Sequence, residues 1–406
     1  MDDVFNIHAP NRNLTADERS KEINIFFRDR YMINTIFNAV FMVFGIIGNA
    51  LVIYIYRTKL RKKRRGDRYY IIVLAIVDLL HCLFSSNLVF AKNSNPVLFP
   101  FDAPCKILLY ATNVFFCMSL LLLVIICVHR YRKICKPFLP ELTFRNKNIG
   151  IFIACLVSVM FNLPKLIYFK RKRVMIETLD GYVCGSDMTM NGAIVFVVWM
   201  SNFWIAFSCA AVIVMSVLYI LIGKVVYKQM RQFETKRKES ERIRQQFEKS
   251  SPSTSEDGST MLSMKVTEHH LNALYKVSNK SCTIESKKSN RTQRKRRSPS
   301  MVSSLSSQVR THRMTVMFII ITIITIFSYI PTYIFIQFDS KDPTRWFRVS
   351  NTELQLFLFL RSLHAVGYIA NPVIYAFYDT AFKTELAKII CRGVLIEVSD
   401  HSTTEH

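Results

Sequence analysis

The chain has 406 residues, 54 Lys and Arg against 29 Asp and Glu, and a formal net charge of +25, yet 50% of it is hydrophobic and 31 residues are Phe. Positive mean hydropathy excludes an ordinary soluble basic protein and gives the composition of a membrane protein. The charge is not a nucleic-acid footprint, because Lys and Arg gather in the joints between apolar runs.

Residues 1–32 read as a polar outer tail with one glycosylation sequon at Asn13, and no cleavable signal peptide is visible in residues 1–30, so the first span would direct insertion. Seven apolar windows follow, at 33–57, 69–92, 105–129, 148–169, 192–223, 314–338 and 353–378, each near the roughly 20 residues that span a bilayer core. The fold class is therefore an all-α membrane protein, a seven-transmembrane helix bundle. Basic residues crowd the joint "RTKLRKKRRGDR" (57–68), the joint between spans three and four, and most of all the one between five and six. The positive-inside rule puts those joints in the cytoplasm, the N-terminus outside and the C-terminus inside. Lys170 to Arg173, between spans four and five, run against the rule.

Spans one to five occupy 33–228. A basic Ser/Thr-rich loop, 229–312, has too few large apolar residues for a core and reads as mostly disordered, except that charged residues at helical spacing let span five run on through 224–249. Ser240, Ser298 and Ser300 follow basic residues and suit kinases and arrestin as partners of the loop; a solvated basic tether beside anionic lipid is the plainer reading. The sequons at Asn279 and Asn290 fall in this cytoplasmic joint and count as chance matches. Spans six and seven take 313–378. In 379–406, Phe382, Leu386, Ile389 and Ile390 recur at three- and four-residue intervals, which predicts a short amphipathic helix on the inner membrane surface, with Cys391 as a palmitate acceptor or a plain thiol.

The ten cysteines show no metal-ligand spacing, and most lie inside spans. Cys105 and Cys184 both lie on the outer, oxidising side, as a disulfide or as two free thiols. Asp78 sits in the middle of span two, where an ionisable group is expensive. Asn49, Ser119 and Asn371 are its expected hydrogen-bond partners if those spans pack together, with a small cation or a protonated carboxyl as the two ways of settling its charge. Pro331 and Pro372 each remove a backbone hydrogen bond and are expected to bend spans six and seven. Arg361 and His364 are expected to face a cavity, to which Arg361 gives a fixed positive charge.

Together these residues resemble the rhodopsin-like (class A) G protein-coupled receptors from about 33 to 391. The carriers are "GNALV" with Asn49, "LAIVD" with Asp78, Cys105 followed 25 residues later by Arg130 and then Tyr131, Cys184, Tyr219, Pro331, and "NPVIY" with Asn371, Pro372 and Tyr375, followed by Phe382. The resemblance implies that Arg130 packs in the resting state and reaches toward heterotrimeric G protein when span six swings outward, with Tyr219 and Tyr375 then steadying it. It implies a sodium site at Asp78 and Ser119, although Gly367 and Phe115 stand where further polar ligands are common. Span five has Ala211 in place of proline, span four lacks its tryptophan, and the aromatic above Pro331 is Tyr329, which marks a divergent branch.

Retinal is excluded by the absence of lysine between Trp346 and Phe382. A monoamine would find no carboxylate, since no Asp or Glu occurs from Ala103 to Pro140 and Thr112 holds the expected place. The joint "YFKRKRVMIETLDGYVCGSD" suits a β-hairpin with β-branched residues on either side of "LDGY", a feature of peptide receptors, and its basic run with Arg361 favours a ligand with an acidic group. The expected function is a neuropeptide receptor at the plasma membrane, with a lipid or other small acidic ligand as the alternative. The resemblance places Thr112, Asn113, Phe116, Tyr329, Thr332, Tyr333, Arg361 and His364 at the ligand. An ion-coupled transporter using Asp78 is the reading from another class; it would show an internal repeat, and none is visible. No HExxH, GxSxG or phosphate-binding glycine loop suggests an enzyme.

Span three ends in "CVHRYRKICKP". Where the family usually has an acid before the arginine, this chain has His129, which is neutral or cationic. Thr311 and basic neighbours occupy the part of span six that often supplies a second acid. Two outcomes follow: a resting state held less by ion pairing, with raised basal signalling or a response to cytosolic pH, or one held by packing and hydroxyls such as Thr315.

Overall fold

A computed structural model describes residues 15–60, 68–176, 179–186, 193–250, 301–341 and 345–402. Asn13, Asn279, Asn290, Ser298 and Ser300 lie outside these residues. Apolar runs with internal polar punctuation give, in chain order, helices α1 (Ala16–Arg30), α2 (Met32–Tyr54, ending in a π turn at Ile55–Lys59), α3 (Arg68–Ser94), α4 (Asp102–Cys135), α5 (Phe144–Asn162) and the single turn α6 (Lys165–Tyr168). A hairpin of β1 (Phe169–Ile176) and β2 (Leu179–Ser186) precedes α7 (Ala193–Ser250), α8 (Met301–Lys341), α9 (Asn351–Ser362), α10 (His364–Tyr378) and α11 (Thr380–Ser402). Among the described residues six helices are long and apolar enough to cross a membrane, and the pair α9 and α10, bent by 48° at Leu363, makes a seventh when taken as one span.

Contacts divide the chain into two compact units, one comprising Met1–Val226 with Gln308–His406 and the other Tyr227–Ser307. In the second, the described parts are the continuation of α7 to Ser250 and the start of α8 at Met301, so the expected loop 229–312 is helical at both ends. Residues 1–32 also differ from a plain tail. Thr15 caps α1 through a reciprocal box in which its hydroxyl accepts from the Glu18 amide and the Glu18 carboxylate accepts from the Thr15 amide at 2.9 Å. That Thr-x-x-Glu spacing is a helix start legible in the sequence.

Within the first unit, α4 holds the middle of the bundle, with Leu122, Leu123, Ile126, Cys127 and Arg130 fully buried, whereas α2 and α5 turn Phe44, Ile47, Phe152 and Ile153 outward, as lipid-facing helices do. Close approach needs small residues. A Cβ added at Gly45 would lie 2.6 Å from Cys82 Sγ, and one at Gly48 would lie 2.9 Å from Pro372 Cγ, so α2 seats directly on α3 and α10.

The chain stays helical through Pro331 and Pro372, and span seven has a break at Leu363. The reason is where freed carbonyls find donors. Pro372 has no N–H for the Tyr368 carbonyl four residues back, and Asn49 Nδ2 donates to that oxygen at 3.0 Å. At the Leu363 break, the Arg361 carbonyl accepts from Thr332 Oγ1 at 2.8 Å and from His364 Nδ1 at 2.9 Å. Asn49 is therefore committed to the backbone of α2 and α10, through Gly45 and Tyr368, rather than to Asp78. Asn49→Ala strands the buried Tyr368 carbonyl. It should cost about 1–3 kcal/mol, read as a lower midpoint in thermal unfolding of the purified protein, with Asn49→Leu, which has similar bulk and cannot donate, no better.

Asp379 joins α10 to α11. Its Oδ1 accepts from the Ala381 and Phe382 amides as an N-cap, Oδ2 accepts from Tyr56 at 2.8 Å, and Arg68 lies 3.5 Å away. Phe382 stacks on Tyr56 and is buried, Leu386 and Ile389 pack on the core, and Ile390 and Cys391 are exposed. α11 extends to Ser402, beyond the short helix expected.

Candidate functional site

At one end of the bundle, a disulfide joins Cys105 at the start of α4 to Cys184 in β2. The hairpin forms as expected, but "LDGY" lies inside β2, with Asp180 opposite Met175 in register. The Arg173 guanidinium pairs with Asp180 and holds its carboxyl below the usual carboxylate range. Arg171 lies 4.2 Å over the Tyr182 ring, donates to the Pro100 carbonyl and takes Asp102 on its amide. Two of the four basic residues expected to form a rim are thus engaged in building the loop, and Lys172 is the one that reaches the cavity.

The segment Val97–Phe99 adds to the edge of β2 through Tyr182, while Asn24 Oδ1 in α1 accepts from the Val97 and Leu98 amides at 3.1 Å each. Phe27 packs edge-on against Phe347, ring centres 4.7 Å apart, and Arg30 donates to the Val349 carbonyl at 2.8 Å. Helix α1 is consequently part of the wall at this end.

Beneath these elements lies a cavity of about 370 Å³. Thr112, Asn113, Phe116, Tyr329, Thr332, Arg361 and His364, all expected at the ligand, line it together. Tyr333 has no described side chain. Lys92, Lys165, Lys172 and Arg361 are the cavity's basic residues, and among the described residues no lining side chain is acidic. Donor–acceptor logic fixes much of the floor. His364 Nδ1 must donate to the Arg361 carbonyl, which only accepts, so in the neutral ring Nε2 accepts from Ser85 Oγ at 2.9 Å. Tyr329, the aromatic above Pro331, lies 4.5 Å from Phe116 between ring centres, and its hydroxyl is 3.3 Å from His81 Nδ1. A Cβ added at Gly367 would come within 3.1 Å of the Tyr329 ring, so that glycine is where the ring seats on span seven.

Below the floor, Asp78 is buried and accepts from Ser119 Oγ at 3.2 Å and Asn371 Nδ2 at 2.6 Å. These are two of its three expected partners. The residues fit a small cation only in part, since Phe115 and Gly367 add no oxygen. Among the described residues no cluster of three or more His, Cys, Asp or Glu suits a metal ion.

At the opposite end, Arg130 is fully buried, its guanidinium carbon 4.7 Å above the Phe318 ring of α8. Phe318 also offers its carbonyl to Tyr219 of α7 at 3.4 Å, and the Tyr219 hydroxyl is 3.1 Å from Thr322 Oγ1. His129 is buried with its ring 5.1 Å from that of Tyr70 on α3. Tyr131 is partly buried, and Tyr375 is fully buried with its ring 6.2 Å from Tyr56. Thr315 donates to the Thr311 carbonyl within α8. Three spans thus meet around Arg130.

Sequence reasoning missed His81, Ser85, Lys92, Lys165 and Trp204 on the cavity wall. For Lys165 and His81 a signal existed, because each is an ionisable residue inside an apolar window. Trp204 carries no such mark, and only packing places it there.

Comparison with known sequences agrees with this geometry. A family profile described as 7 transmembrane receptor (rhodopsin family) matches residues 48–375. The human cholecystokinin receptor type A is 23% identical over 356 residues, 86% of this chain and 78% of that receptor. Cephalotocin receptor 2 of Octopus vulgaris is 30% identical over 135 residues, 32% of this chain and 30% of its own length. The gonadotropin-releasing hormone receptor of the same animal is 25% identical over 215 residues, 52% of this chain and half of that receptor.

Proposed function

The chain belongs to the rhodopsin-like (class A) family of G protein-coupled receptors, and from that premise we propose that it is activated by an extracellular peptide bearing an acidic group. As a member of a receptor family it is a multi-pass membrane protein and not an enzyme. The observation that carries the ligand proposal is the cavity, which is lined by four basic residues and, among the described residues, no acid. The hairpin over it and the cholecystokinin and gonadotropin-releasing hormone receptors among the relatives support a peptide.

In this reading the N-terminus and the disulfide end face outside, the plasma membrane is the site of action, and Arg130 lies at the inner mouth. A ligand in the cavity bears on Tyr329 and His81, which sit against Phe116 of span three and Gly367 of span seven. Tyr329 and Phe318 share α8, so displacing the first and lifting the second from Arg130 is one outward movement of a helix. Arg130 then reaches heterotrimeric G protein, and Tyr219, already beside Phe318, takes its place against it. Sodium at Asp78 and Ser119, a glycan on Asn13 and palmitate on the exposed Cys391 belong to the same reading, as do kinases and arrestin acting on the 229–312 segment.

A peptide library applied to cells expressing the chain, with calcium and cyclic-AMP readouts, tests it. At least one acidic peptide should evoke a response absent from untransfected cells. A response to lipid acids alone would replace the peptide reading with its alternative.

A further inference from the structure

Resting on the reading of this cavity as the ligand site, we infer that one corner of it, formed by Lys165, Trp204, Thr112 and Asn113, is the seat of the ligand's anionic group, a carboxylate, sulfate or phosphate. Helix α5 stops at Asn162, and Pro164 restarts the chain as the single turn α6, whose first residue is Lys165. The turn places Lys165 on the cavity wall, partly buried. Its Nζ donates to Asn113 Oδ1 and lies 5.0 Å over the Trp204 ring. Asn113 spends its Nδ2 on the Leu109 carbonyl at 2.7 Å, which fixes its oxygen toward the lysine.

Both neighbours of the ammonium are neutral, and among the described residues no carboxylate pairs with Lys165. A desolvated amine set against an amide oxygen and a ring, with no carboxylate partner among the described residues, is electrostatically incomplete, and an arriving anion completes it. The second observation is independent of the lysine. Trp204 is 6% exposed, and its indole N–H has no hydrogen-bond partner among the described residues. The Thr112 hydroxyl, next in sequence to Asn113 and also on the cavity lining, likewise has none among the described residues. Buried donors left without acceptors are costly, and a ligand oxygen would satisfy both. An ammonium, an indole N–H and a hydroxyl, with no acid among the described lining residues, select an anion.

The test uses purified full-length protein in detergent and two small aromatic acids, 2-naphthoate and naphthalene-2-sulfonate, with neutral 2-naphthamide as control. Unfolding is followed with a thiol dye that reports the buried Cys82, Cys117 and Cys127. At least one of the acids should raise the midpoint, with half-saturation at least about tenfold lower than for the amide, and Lys165→Gln should weaken that acid by about tenfold or more. Trp204→Phe, which keeps the packing and removes the N–H, should weaken it by about threefold or more, and Arg361→Gln by less than Lys165→Gln. Should Lys165→Gln fail to fold, Trp204→Phe and the charge-keeping Lys165→Arg carry the test. Equal stabilisation by acid and amide, no stabilisation by either acid, or Lys165→Gln behaving as wild type would overturn the assignment. Binding is read without G protein, so an unresponsive signalling screen alongside intact acid binding counts against the receptor mechanism and leaves this corner standing.

Discussion

Phe318→Ala is expected to raise ligand-independent signalling by about two- to thirtyfold in cells with matched surface expression. The argument begins with His129. The acid that usually precedes the family's arginine is absent from "VHRY", and the His129 ring packs beside Tyr70. At this end of the bundle, span three meets span six with the Arg130 guanidinium 4.7 Å over the Phe318 ring. A desolvated contact of that kind is worth about 0.5–2 kcal/mol, which sets the size of the expected rise. Phe318→Tyr keeps the ring face and should stay within about threefold of wild type. His129→Asp supplies the usual acid and should lower basal output, and no drop in that variant would show that packing alone already sets the resting state. Of the two outcomes left open by the sequence, the structure supplies a ring for the packing one.

Removing the disulfide, as Cys105→Ala with Cys184→Ala, is expected to cost about 2–4 kcal/mol. The bond closes a separation of 79 residues, for which the chain-entropy relation gives about 4.5 kcal/mol. The value expected is lower because spans three to five stay inserted, and so partly ordered, when the rest unfolds. Function should suffer as well as stability. β2 brings Val183, Cys184, Gly185 and Ser186 to the cavity wall, and Tyr182 anchors Val97–Phe99, to which α1 is bound. The check is thermal unfolding of purified protein with and without reductant. Wild type in reductant should fall to the level of the double variant, and a variant as stable as oxidised wild type would contradict the estimate.

The bundle was legible because each span announces itself by length and apolarity, and the polar residues within spans pointed at one another. Asp78, Ser119 and Asn371 do meet, and the expected pocket residues with described side chains share one cavity. Asn49 looked like a fourth member of that polar group. The cause of the difference is local, since Pro372 frees the Tyr368 carbonyl and Asn49 is the donor within reach. The same accounting applies to the break in span seven at Leu363, which carries no proline and where Thr332 and His364 satisfy the Arg361 carbonyl. Residue type alone cannot say which freed carbonyl will find a donor, because that depends on the neighbouring helix.

Charge was legible in sign and less so in place. The basic run before Cys184 read as a rim for an acidic ligand, yet Arg171 and Arg173 are held by Pro100, Asp102, Tyr182 and Asp180, and Lys172 and Arg361 share the cavity wall with Lys92 and Lys165, which lie outside that run. Helix α1 went unassigned although Thr15 and Glu18 spell a capping box, since a short polar helix outside the membrane has no apolar window to mark it.

The most direct measurement is guanine-nucleotide exchange on a panel of heterotrimeric G proteins, driven by purified receptor in its wild-type, Phe318→Ala and Phe318→Ala/Arg130→Ala forms. It needs no ligand, because Phe318→Ala releases the contact that a ligand would otherwise displace. The account predicts exchange above wild type for Phe318→Ala on at least one heterotrimer, and a return to background when Arg130 is also removed. Exchange at background for all three forms on every heterotrimer, from folded protein, would contradict it.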